Sequence, residues 1–128
     1  MHEQRFEKLE RPALFEAVLP AGGPAPHIVK SAQIRFAPGQ PTGFHRHPMS
    51  TCGVVTEGRF VIELEGENVR ELRAGDAFFE PAGHTIRRFD NASEYDPAEI
   101  VCFYLTDDSA RPSIEMLGGG MDEQLGKQ

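Results

Sequence analysis

The sequence is short of cysteine, of positive charge and of unbroken apolar or helical stretches, and each shortage removes a class of protein. Its two cysteines, Cys52 and Cys102, are too few for a disulfide framework, and both lie inside apolar strand-like segments. They read as reduced, buried thiols of a cytoplasmic protein, although spacing leaves a disulfide between them open. The first residues, MHEQRFEKLERP, mix acids with bases and hold no apolar run of the length that a signal peptide or membrane span needs. Neither export nor membrane insertion is expected. Lys and Arg number 13 against 20 Asp and Glu, giving a formal charge of -7 and a pI near 5.2. Such a field repels phosphate backbones and anionic lipid, so nucleic acid and membrane surfaces are not expected partners. Also missing is the long helix-period pattern of an α/β protein: Gly, Pro or Asn interrupts nearly every stretch before three helical turns could form.

What is present fits one small domain over residues 1–128, with a mass of 14.2 kDa and room for one modest core. With 39% hydrophobic and 26% charged residues the chain lies in the ordinary globular range. Thirteen glycines and ten prolines imply many tight turns, and therefore short strands. Strand candidates cover 27–36, 42–47, 51–57, 59–65, 68–73, 76–81, 84–90 and 99–105. Within the fourth, Phe60, Ile62 and Leu64 alternate with Arg59, Val61, Glu63 and Glu65, the period of a strand with one face inward. EGEN at 65–68 and RAGD at 73–76 read as hairpin turns. Segments 5–19 and 111–117 stay open: the first has helix formers around Pro12, and the second fits a strand or one helical turn. Residues 1–26 form an N-terminal arm, and 118–128 a tail expected to be mobile. So many short strands imply an all-β sandwich or closed barrel.

Of five histidines (His2, His27, His45, His47 and His84), only two form a constellation. His45 and His47 straddle Arg46, so on an extended strand both imidazoles face one side, about 7 Å apart at the backbone. Rings so placed can converge on one metal ion, each nitrogen about 2.1 Å from it.

Residues PGQPTGFHRHPMSTCGVVTEG (38–58) and RAGDAFFEPAG (73–83) together resemble the two-motif signature of the cupin family. Gly39, His45, His47 and Gly58 occupy places of the first motif, and Gly75, Pro81 and Gly83 places of the second. The resemblance covers roughly residues 34–105. It implies a double-stranded β-helix or jelly-roll barrel, commonly a homodimer, with a metal or ligand at one mouth. The chain departs from the pattern at two ligand positions. Where the first motif has a glutamate this chain has Thr51, with Cys52 beside it; where the second has a histidine it has Ile86, or Arg87 if an extra residue before Asn91 lies upstream.

His84 is the nearest substitute, since it shares strand parity with Ile86, but it would need a bulge or an altered turn after Pro81 to reach the same ion. Glu57, Glu63 and Glu80 are carboxylates by type, read as solvated strand or turn residues. Cys52 also resembles the cysteine that thiol dioxygenases, a cupin subgroup, carry together with a tyrosine; Tyr95 and Tyr104 are the only tyrosines here, and the third histidine of that subgroup is absent. Arg46, Arg87 and Arg88 could bind a carboxylate in a bidentate way, and alternation would turn one of Arg87 and Arg88 inward. Phe36, Phe44, Phe60, Phe78, Phe79, Phe89 and Phe103 are read as mostly core.

Two functions follow. One is a metal-dependent enzyme of dioxygenase or isomerase type, with His45 and His47 holding a divalent Fe, Mn, Zn, Ni or Cu ion and acting on a small, anionic molecule. Thr51, Cys52 and His84 are further candidates for the metal, and Arg87, Arg88 and Tyr104 for the ligand. The alternative is a binding or sensing module, in which the metal is weakly held or absent and the barrel mouth recognises a small acid. Acid–base chemistry by a histidine with Tyr104 is a third route, for which the sequence offers no His–Asp pairing.

Overall fold

The period-two segments become strands, and the Gly and Pro clusters between them become turns. A computed structural model describes residues 8–118. Nine strands follow in order: β1 (Ile28–Phe36), β2 (His45–Arg46), β3 (Thr51–Glu57), β4 (Arg59–Leu64), β5 (Arg70–Arg73), β6 (Ala77–Glu80), β7 (Ile86–Asn91), β8 (Ala98–Thr106) and β9 (Glu115–Met116). They form two antiparallel sheets, a four-stranded one in the order β1-β8-β3-β6 and a five-stranded one in the order β5-β4-β7-β2-β9. This is a jelly-roll barrel. Among the described residues no helix is long and apolar enough to cross a membrane.

The sheets close on one apolar core. Phe60, Ile62 and Leu64 of β4 point into it as their alternation predicts, against Phe36, Val55, Phe78, Ile86, Phe89 and Ile100. Aromatic edges bind the middle of the core: the rings of Phe36 and Phe60 lie 4.9 Å apart and those of Phe78 and Phe89 5.0 Å apart, in edge-to-face orientation. Truncating Phe60 to alanine would cost about 3–5 kcal/mol by transfer and cavity terms. Gly58 makes the β3–β4 turn at φ 83°, and a Cβ there would stand 2.8 Å from that of Ala98, so conformation and space both require glycine.

Several expectations change. Neither Arg87 nor Arg88 turns inward. Register pairs Glu63 with Arg88 but Leu64 with Ile86, so Arg87 is the extra residue of a β-bulge, which lets Ile86 and Phe89 both reach the core while the two arginines between them face solvent. Arg87 approaches Glu63 at 3.7 Å and stacks 5.0 Å over the Phe44 ring, and Arg88 pairs with Asp90 at 3.2 Å. Phe44 and Phe103 are exposed and Phe79 half-buried, because their strand parity places them away from the core. The open segment 111–117 contains β9, whereas residues 8–19 form no regular element. Beyond Gly118 the expected tail, like residues 1–7 of the arm, lies outside the described residues.

Candidate metal centre

β2 is only two residues long, yet it turns His45 and, just past its end, His47 to one side and Arg46 to the other. Both imidazoles are buried, at 3% and 5% exposure, and their ring centroids lie 5.2 Å apart. On the opposite sheet β6 ends in Glu80, whose side chain shares the inward parity of Phe78 and is 2% exposed. His45, His47 and Glu80 each offer a ligand atom, all within 4.8 Å of one another. The sequence reading of Glu80 as a solvated residue is thereby corrected. The missed signal was parity: in DAFFEP, a core Phe78 obliges Glu80 to face inward as well.

Hydrogen bonds fix which nitrogens are free. His45 Nδ1–H donates to the Gly43 carbonyl at 2.9 Å, which leaves Nε2 as the nitrogen with a lone pair. Burial lowers the pKa of this ring, outweighing the opposing pull of the Gly43 carbonyl and Glu80, so it is neutral near pH 7. His47 Nδ1–H donates to the Ser113 carbonyl at 2.8 Å, and its Nε2 lies 2.7 Å from Glu80 Oε1. Burial pulls the His47 pKa down, but the bond to Glu80, the charge of Glu80 and the Ser113 carbonyl together outweigh it and leave the pKa raised. Since a carbonyl claims the Nδ1 proton, an imidazole nitrogen and a carboxylate oxygen meet at 2.7 Å, and only a proton or a cation between them makes the contact favourable. The other Glu80 oxygen, Oε2, is buried with no hydrogen-bond partner among the described residues.

These donors suit a divalent ion. Two histidines and one carboxylate, held on one side, leave coordination positions open, the set that non-haem iron sites use and that zinc, manganese and nickel also accept. An ion would satisfy Glu80 Oε2 and use the free lone pair of His45.

The remaining sequence candidates are placed differently. Thr51 is buried beside the site, directly opposite Glu80 in the β3–β6 register, with its hydroxyl donating to Met49 O at 3.3 Å. Cys52 is the next residue on β3 and faces the outer side of the sheet, away from the histidines. His84 sits exposed after a turn, with the bulge that could have redirected it falling beyond it at Arg87. Glu57 is exposed, and Glu63 lies near the outward Arg87. Tyr104 is the exception. Its ring centroid is 5.8 Å from that of His47, and one cross-strand row runs Lys30, Tyr104, Thr51, Glu80 over β1, β8, β3 and β6. Burial raises the pKa of its phenol, so the hydroxyl keeps its proton near neutral pH.

Two cavities lie near the centre, neither of them lined by His45, His47 or Glu80. A small one of about 10 Å³ lies between Lys30, Met49, Tyr104, Arg111 and Ser113, large enough for one water. The larger, about 380 Å³, is walled by Leu19 and prolines of the N-terminal arm together with Pro48–Ser50, Ala82, Gly83 and Leu105. None of the three candidate ligands lines it, but it shares Met49 and Arg111 with the small cavity beside Tyr104.

Comparison with known proteins agrees with this architecture. The family model described as "Cupin domain" matches residues 32–104. An (R)-mandelonitrile lyase from Granulicella tundricola is 37% identical over 59 residues, 45% of this chain and 45% of that protein. The match thus spans less than half of that relative's length. A solved structure of oxalate oxidase superposes with a TM-score of 0.59 at 27% identity, covering 73% of this chain and 50% of that one. A cupin-like protein from Thermotoga maritima shares the fold, with a TM-score of 0.58 at 24% identity over 74% of this chain and 68% of that one. With the family model covering more than half of its residues, the chain belongs to the cupin family.

Proposed function

We propose that the protein is a divalent-metal-dependent enzyme acting on a small organic molecule that carries an oxygen donor, such as a carboxylate or hydroxyl. The observation that carries this reading is the buried contact of His47 Nε2 with Glu80 at 2.7 Å, beside a carboxylate oxygen without a partner. His45 Nε2, His47 Nε2 and Glu80 would hold the ion, and a bound ion supplies Lewis-acid polarisation at its open positions. The chain's own groups do the rest. Ser113 and Gly43 fix the two ring tautomers. Burial excludes water from the ligands, and the protonated Tyr104 phenol stands nearby as a group that can donate a proton to substrate. The relatives named for oxalate and for mandelonitrile support a small organic substrate.

Element analysis and calorimetric titration of chelator-treated protein with iron, manganese, zinc, nickel and copper test the reading. The expected result is one ion per chain, lost or strongly weakened in His45→Ala, His47→Ala and Glu80→Gln. No binding by the parent to any of the five overturns it. A metal-free binding module has one observation in its favour: a proton shared between His47 and Glu80 satisfies that contact without an ion. A small acid that raises the melting temperature of chelated protein would favour this alternative.

A further inference from the structure

The strand that carries His45 and leads into His47 is held in its sheet mainly by the edge strand β9. β2 meets β7 through the single registered pair His45 and Ile86, but meets β9 through two, His45 with Met116 and Arg46 with Glu115. Around that pairing the C-terminal segment makes three further contacts with the histidine-bearing segment. Leu117 N–H donates to the Phe44 carbonyl at 3.1 Å, Arg46 Nε–H donates to Glu115 at 2.8 Å, and the Ser113 carbonyl accepts the Nδ1 proton of His47 at 2.8 Å. The last contact reaches one of the three candidate ligands. A ring nitrogen that donates to a fixed carbonyl locks the tautomer and aims the other nitrogen, which is how groups behind a metal ligand tune affinity.

We propose that Ser113–Leu117 is a positioning strap for the metal centre: docked, it holds His47 in the ligating tautomer, and a bound ion in turn holds the strap down. The inference rests on the metal-centre reading above. Linkage requires reciprocity, so whatever factor in ion affinity the docked strap supplies, the ion returns to the docking equilibrium. Tautomer and orientation of His47 are what the strap contributes, and neither requires it to touch the ion.

Zinc titration of the full chain tests this. Leu117→Pro removes the N–H bonded to Phe44 O, changes no charge and leaves the preceding residue extended. Expected is a loss of zinc affinity of about 10-fold, together with loss of the protected His47 Nδ1–H resonance in the proton NMR spectrum. In the parent, zinc should slow hydrogen exchange at the Leu117 amide. A second series checks the ion pair: Arg46→Glu weakens zinc binding although it adds negative charge, and Arg46→Glu with Glu115→Arg restores it, whereas net charge alone predicts tighter binding by the single variant. Should Leu117→Pro fail to fold, this series carries the test. Unchanged zinc affinity in Leu117→Pro with its strap amides freed, or no rescue in the double variant, overturns the strap while leaving the metal centre intact. A parent that binds no zinc or other divalent ion overturns both.

Discussion

Glu80 stands directly opposite Thr51 in the β3–β6 pair, so the carboxylate of this site comes from the strand next to the one on which the family motif carries it. Side chains that face each other across an antiparallel pair have Cβ atoms about 5 Å apart, close enough for one to serve the ion in place of the other. Exchanging the two residues tests that equivalence. Glu80→Thr alone should weaken metal binding by about 100-fold or more, because a metal site's roughly 10–16 kcal/mol is divided among only a few ligands. Thr51→Glu combined with Glu80→Thr should recover most of that loss in a calorimetric titration. A double variant no better than the single one would show that only β6 can present the carboxylate.

His84→Ala should leave metal affinity unchanged, since this ring is exposed after a turn and outside the ligand group. The same titration reads it. A loss comparable to that of His45→Ala would mean that the turn after Pro81 folds back onto the ion.

Gly53 lies on the inward face of β3, and a Cβ built there would collide with the Val101 backbone carbonyl oxygen of β8 and stand 2.6 Å from Phe78 Cζ. Gly53→Ala should therefore destabilise the protein by about 1–3 kcal/mol through overpacking. Chemical denaturation measures it. A variant as stable as the parent would show that the β8 backbone at Val101 and the Phe78 ring both give way without cost.

Glu99 predicts an acid-sensitive limb of stability. Hydrogen bonds from Gln33 and Thr56 lower its pKa below the ordinary value of 4.5, against an opposing effect of burial and with help from Arg35. A carboxylate with a lowered folded pKa binds fewer protons in the native state than in the unfolded one. Its contribution is thus complete above about 4.5 and disappears as pH falls through the lower folded value. Denaturation midpoints between pH 6 and about 3 should fall less steeply in Glu99→Gln than in the parent. Parallel curves would remove Glu99 from the acid response.

The cysteines should be slow to react and should not pair. Burial pushes the Cys102 thiol up to about 12 and raises that of Cys52 as well, so neither carries much thiolate at neutral pH. They also face opposite sides of the four-stranded sheet. A thiol reagent at pH 7 should label Cys52 slowly and Cys102 only after denaturation. Rapid labelling of Cys102 in native protein would contradict its burial.

Strand positions were legible wherever one face is apolar and the other polar. Phe60, Ile62 and Leu64 announce β4 through alternation alone, and each of the eight segments read as strands overlaps one. β9 was not legible because two residues are too few to show a period, and what makes Glu115–Met116 a strand is pairing with a segment some seventy residues away. The bulge at Arg87 was invisible for a related reason: alternation assumes an unbroken register, and a single unpaired residue reverses the parity of everything before it. Two of the three candidate ligands were in the His-x-His spacing. The third, Glu80, needed the register of β6 on β3, which no local pattern specifies, although the shared parity of Phe78 and Glu80 was a clue in plain sight.

The ligand set draws its histidines from the β2 segment of the five-stranded sheet and its glutamate from β6 of the four-stranded one. An ion bound there would therefore be an exchangeable cross-link between the two layers of a barrel whose cysteines are free. At free ion about 100 times its dissociation constant the gain is about 2.7 kcal/mol. That is within the range of a disulfide, roughly 2–4 kcal/mol, yet a chelator removes it without breaking a covalent bond. The durability of this fold would then follow the supply of metal around it.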